Sequence, residues 1–252
     1  MIALLLAAEA TVAPICTDRP TKANAVCTVP AGSWQIETSA FGWSLTKAGG
    51  ARTELTSFGS SAVKVGLTNW SDLQIAFTPF ARQTVQQGGT SDRVSGFGDV
   101  VLRYKQRLTR DGAPFQVAVI PFAKLPTAVA GLGNGKVEGG LAIPVSFVLA
   151  GPVTMTFGPE ADLLADSGGR GRHLALVNLV NVAAPIAPRL TLIGEVWTNF
   201  NFDPAGTVKQ ASADAAVAYL ASDLLQVDSG ASVGLSPETA TIELYAGISV
   251  RL

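Results

Sequence analysis

Long apolar runs, charge, aromatic rings, histidine and cysteine are all scarce in this chain, and each scarcity removes a class of protein. Beyond the N-terminus there is no run of about twenty apolar residues, which excludes a helical membrane protein. A closed β-barrel is then the one spanning architecture that satisfies every backbone polar group. Charged residues make up 15% of the 252 residues, against roughly 25% in ordinary globular domains. With 48% hydrophobic residues and a mean hydropathy of +0.33, that deficit leans toward lipid. A net charge of −1 provides no electrostatic basis for nucleic-acid binding. The one histidine, His173, is far in sequence from the two cysteines, so a zinc site of about four ligands lacks its donors. No metal or cofactor is expected.

What the chain has in quantity is alternation and turn residues. In Gly96–Leu108, Asp99, Arg103, Lys105 and Arg107 are odd-numbered, whereas Val100, Leu102, Tyr104 and Leu108 are even-numbered. On a strand this gives one ionic and one oily face. A soluble sandwich would turn the oily face inward; a transmembrane barrel turns it to lipid and the ionic face to a lumen. Alternation and turn signals predict about twelve strands, at 33–44, 53–67, 71–83, 95–108, 115–126, 136–149, 152–164, 173–184, 189–200, 211–221, 225–235 and 241–252. Each is near the nine to eleven residues, roughly, that cross a bilayer at a tilt.

The connectors predict the topology. One set is tight (68–70, 109–113, 150–152, 184–188 and 222–224). The other is mostly longer and glycine-rich (47–52, 84–94, 127–135, 166–172 and 201–210). Short periplasmic turns facing longer external loops are an outer-membrane pattern that Greek-key sandwiches have no reason to follow. The expected fold is therefore an all-β, closed antiparallel transmembrane barrel in an up-and-down meander.

Strand parity places Glu37, Lys64, Asp99, Arg103, Lys105, Arg107, Lys124, Glu138, Glu160, Asp162, Glu195, Glu243 and Arg251 on the lumen side. Arg103, Lys105 and Arg107 form a basic ladder, with acids gathered toward the outer end. Glu37 and Lys64 face each other if the first hairpin is regular. The same parity makes Trp43 and Trp197 lumen fillers, and puts Trp34, Trp70 and Tyr219 at the periplasmic interface. The eighth strand is apolar on both faces, which leaves its orientation open.

The N-terminal residues 1–10 resemble the end of a secretory signal, with Ala8-Glu9-Ala10 as a cleavage-like site. Residues 11–32 then form a periplasmic arm and residues 33–252 the barrel. Cys16 and Cys27, an even pair downstream of an export signal, favour a disulfide over two unpaired thiols. It would close a loop over the periplasmic mouth.

No catalytic constellation stands out. A lipid-modifying barrel enzyme would need a Ser and an Asn within reach of His173, which follows the Gly- and Arg-rich loop Ser167–Arg172, and no nucleophile motif supplies the Ser. The segment Gly131–Gly135 lacks the Gly-Lys-Ser and strand–loop–helix context of a phosphate loop.

Four segments resemble one outer-membrane family: Cys16-Thr17-Asp18-Arg19-Pro20, Cys27–Glu37, Val65–Leu73 and Ser95–Lys105. The family is the meta-pathway phenol-degradation proteins, usually called transporters, and the resemblance spans roughly residues 16–252. It implies a passive channel in the bacterial outer membrane for small solutes, hydrophobic or aromatic compounds among them. The partners implied are outer-membrane lipid, the barrel-assembly machinery and the solute. The alternative is a structural or surface-interaction barrel whose lumen is plugged by its own side chains.

Overall fold

The computed structural model describes residues 14–252; the signal-like residues 1–10 and the start of the arm lie outside them. Among the described residues the chain forms sixteen β-segments and no helix. They are β1 (Trp34–Ala48), β2 (Ala51–Thr68), β3 (Ser71–Phe77), β4 (Phe80–Gln87), β5 (Thr90–Gly96), β6 (Val100–Arg107), β7 (Gln116–Leu125), β8 (Glu138–Ala142), β9 (Val145–Ala150), β10 (Val153–Phe157), β11 (Glu160–Ala165), β12 (Arg172–Ala187), β13 (Leu190–Asn201), β14 (Val208–Ser222), β15 (Leu225–Gly234) and β16 (Ile242–Arg251).

These segments make twelve antiparallel ribbons. β3 and β4 are two parts of one ribbon, as are β5 and β6, β8 and β9, and β10 and β11. Three of these four breaks contain a proline, at Pro79, Pro144 and Pro159, and the fourth contains Gly98. Proline has no N–H for the ladder, so pairing lapses for a residue or two. It then resumes in the same register: Ser61 opposes Phe77 and Phe58 opposes Phe80. β1 pairs with both β2 and β16, Gln35 lying opposite Arg251, so the sheet closes into a barrel, with β5 above it paired to β4 alone.

Two expectations about the wall need correction, and one open point is resolved. The connectors at 47–52 and 84–94 are not long loops: β1 and β2 are joined by Gly49-Gly50, and β4 and β5 by Gly88-Gly89. All four glycines have φ between 56° and 82°, which two-residue hairpins of the twist-matched type require and glycine adopts without strain. The strands therefore overshoot, and one side of the barrel rim stands taller. Trp43 does not face the lumen. A register shift between Ser39 and Phe41 inverts the facing of the remainder of β1, and Trp43 pairs with Leu244, itself 41% exposed on the outer surface. The eighth ribbon, β12, is settled by burial: His173, Ala175, Val177, Leu179 and Asn181 face inward, while Leu174, Leu176 and Val180 face out.

Elsewhere the outer surface is apolar, with Leu73, Ile75, Leu192, Val227 and Ile248 exposed. Trp34, Trp70 and Tyr219 are exposed near the tight-turn end. A second outer group, Phe41, Phe58 and Phe80, packs ring to ring at 5.8 and 6.3 Å. Aromatic girdles of this kind mark the two interfaces of membrane barrels.

Candidate functional site

The buried interior of the barrel is polar and charged, and the N-terminal arm lies in it. The arm enters at the tight-turn end, where the Ile15 N–H donates to the Asp223 carbonyl at 2.7 Å. It leaves at the same end, where Thr28 Oγ1 donates to the Asn69 carbonyl at 3.1 Å. Between these points Cys16 and Cys27 are joined by a disulfide, with Cα atoms 6.4 Å apart. The arm predicted to lie in the periplasm over the mouth is thus inside the barrel. The physical reason is charge: its acids and bases match those of the wall, and an unpaired charge out of water is prohibitively costly.

Asp18 is the centre of the arrangement. Its carboxylate lies 2.5 Å from Lys64 Nζ and 2.7 Å from Lys105 Nζ, and it accepts the Ala25 N–H at 2.8 Å. Burial would push this carboxyl up, but the ammonium groups of Lys105 and Lys64 outweigh burial and hold it below the ordinary value of 3.8. Lys64 is also 2.5 Å from Glu37, which in turn accepts the Asp18 N–H and the Gln35 side-chain amide. Arg19 pairs with Asp228 at 2.6 Å. It reaches that partner past Gly247, where a Cβ would lie 2.3 Å from the guanidinium. Lys22 pairs with Asp214 at 2.6 Å and Glu243 at 3.3 Å, and sits 5.6 Å from the Trp197 ring centroid. The Glu195 carboxylate accepts the backbone N–H groups of Lys22 and Ala23, both at 3.0 Å. Arg103 donates to the Asn24 side-chain carbonyl.

The expected basic ladder is therefore not open to solute. Arg103 and Lys105 are taken by the arm. Arg107 lies at the turn end, bonded to Asp111 and placed 4.6 Å over the Trp70 ring. Toward the loop end Lys124 lies 3.2 Å from Asp99 and 2.9 Å from Glu138. Arg251 is buried opposite Gln35. Glu160 and Asp162 border a cavity, with one Asp162 carboxylate oxygen buried and lacking a hydrogen-bond partner among the described residues.

The residues that sequence reasoning missed are Asp18, Arg19, Lys22 and Asn24 on the arm, and Asp72, Asp214 and Asp228 on the wall. Asp214 and Asp228 carry the period-two signal, alternating with outward Val217 and Val227. The arm residues carry no such signal, since the arm has no regular strand. Asp72 accepts the Val29 N–H at 3.0 Å and so fixes the arm's exit. Gly66 is needed there because a Cβ would lie 2.0 Å from the Pro30 carbonyl oxygen.

His173 Nδ1 is 2.8 Å from Asp166, which ties the base of β12 to the 166–171 loop. Asp203, in the 202–207 loop, accepts the N–H groups of Ala205 and Ser167, and those bonds hold its carboxyl below the usual range. Both cysteines are in the disulfide.

A family model described as "Putative MetA-pathway of phenol degradation" matches residues 17–252. No curated protein sequence matches the chain. Among solved structures, the NanC porin superimposes with a TM-score of 0.56 at 10% identity, covering 87% of this chain and 100% of that one. The translocator domain of the autotransporter NalP from Neisseria meningitidis gives 0.55 at 12% identity, over 89% and 90%. The beta domain of the Bordetella autotransporter BrkA gives 0.55 at 12% identity, over 89% and 100%. At these identities the likeness concerns the fold: a closed twelve-ribbon barrel of the outer-membrane kind.

Proposed function

Because the chain belongs to that phenol-degradation family and folds as such a barrel, we propose that it is a passive channel of the bacterial outer membrane for small solutes. The observation that carries this reading is the lumen. Its wall is polar, and the arm fills it incompletely, leaving cavities of about 270, 300 and 330 Å3. A barrel serving only as a membrane anchor has no need of a wall so rich in inward charge. Membership of the family favours hydrophobic or aromatic compounds among the solutes. Outer-membrane lipid and the barrel-assembly machinery remain the implied partners. No enzymatic step is proposed: His173 Nε2 is buried and meets no Ser or other hydrogen-bond partner among the described residues, and substituting His173 by Gln is expected to leave the host's lipid composition unchanged.

A second reading, a structural barrel closed for good by its own arm, is favoured by the ion pairs that hold the arm. Liposome swelling separates the two. The full chain reconstituted in vesicles is expected to admit small solutes. No swelling by the full chain or by Asp18→Asn, in which the arm is loosened, would favour the closed barrel.

A further inference from the structure

Two of the cavities lie end to end along one side of the arm. Going up the ribbon of β10 and β11, Thr154 and Thr156 line the first, and Gly158 and Glu160 line the second. Going up β12, Ala183 and Asn181 line the first, and Leu179 and Val177 the second. On β10 to β12 these are consecutive inward positions, each about 7 Å beyond the last, with Leu179 packed over Gly158 at the junction. On β13 Glu195 stands between Ile193 and Trp197 and is bonded to Asn181 and the arm, so the two spaces adjoin along β10 to β12. Asn24 of the arm lines both, and its side chain is held in place by Arg103 from the opposite wall. The third cavity lies across the arm and borders the ion pairs of Asp18, Arg19 and Glu37; Asp18 and Arg19 border the first cavity as well.

Building on the channel reading, we propose that solute crosses the barrel beside the docked arm, along the inner faces of β9 to β12, with Asn24 as the side chain that divides the path. The lower part of this route carries the hydroxyls of Ser146, Thr154 and Thr156. The upper part carries the Trp197 ring and the carboxyls of Glu160 and Asp162. The basic residues on the route, Arg19 and Lys22, are already bound to Asp228 and Asp214. The route thus favours neutral and cationic solutes over anions. The arm itself does not leave; it narrows the lumen to a one-sided conduit and sets its selectivity.

Planar-bilayer recordings on the full chain test this. Asn24→Gly should raise single-channel conductance by joining the cavities. Thr156→Cys should lose most of its conductance on reaction with a charged methanethiosulfonate, a block applied after folding. Glu160→Gln combined with Asp162→Asn should move the reversal potential toward lower cation preference. Conductance that Thr156 modification does not change would overturn the conduit. So would conductance that appears only when the arm is released by Asp18→Asn or by reducing the disulfide, since the arm would then be a gate. Silence in every protein, released arms included, would instead sink the channel reading itself.

Discussion

The lumen has two dissimilar sides around one arm. On β1, β2, β6, β14 and β15 the inward positions are Glu37, Lys64, Lys105, Asp214 and Asp228, each drawn onto the arm by an ion pair or hydrogen bond. On β9, β10 and β12 they are mostly Ser, Thr, Ala and aliphatic residues, with Glu160 and Asp162 above them on β11, and space is left between this wall and the arm. Both sides follow the same period-two alternation. What differs is reach and charge. Long ionic side chains must find partners and so close the gap, whereas short neutral ones carry no such penalty and leave it open. A plug held tightly on one side and loosely on the other is what a selective conduit requires.

The sharpest test compares the sides directly. Asp18→Asn leaves Lys105 and Lys64 buried around a neutral group, and breaking a buried pair costs about 3–5 kcal/mol. Denaturant unfolding in detergent should show that loss, while Thr154→Ser on the hollow side should shift stability by under about 0.5 kcal/mol. Equal costs would break the contrast. Next, Met155→Arg, which turns a charge to lipid beside the hollow side, should cost roughly 2–4 kcal/mol in folding into liposomes. Its neighbour Thr156→Arg should fold nearly normally, whereas Gln74→Arg, at a position with no exposure, should not.

Replacing Cys16 and Cys27 together by Ser should weaken arm docking by about 2–3 kcal/mol for a loop of this size. Limited proteolysis should then cut the arm sooner with the barrel band intact; an unchanged cleavage rate would show that the ion pairs alone hold it. The smallest effect concerns pH. The Asp18 carboxyl is depressed in the folded protein, so its contribution is fully present above the ordinary value of 3.8 and fades as pH falls below it. Protease protection of the arm should therefore stay flat from pH 8 to about pH 4. A loss near pH 6 would assign the anchor to another group.

Alternation is a property of neighbouring residues, so the amino-acid sequence by itself determined the barrel, the number of its ribbons and the inward facing of residues such as Lys105 and Glu195. The pairing of a wall charge depends on what closure brings opposite it, and nothing local to Lys64 or Lys105 points to Asp18. Tertiary structure decided that the arm enters the lumen, because the matching charges are far apart in sequence and meet only inside the closed barrel. It decided the facing of Trp43, since a single extra residue at Ala40 inverts the parity on which the lumen assignment rested. It also decided that Gly49-Gly50 and Gly88-Gly89 end hairpins, because a glycine pair reads alike in a loop and in a tight turn until the strands beside it pair. The hollow side was decided there too: space is what remains after packing, and only the folded chain defines it.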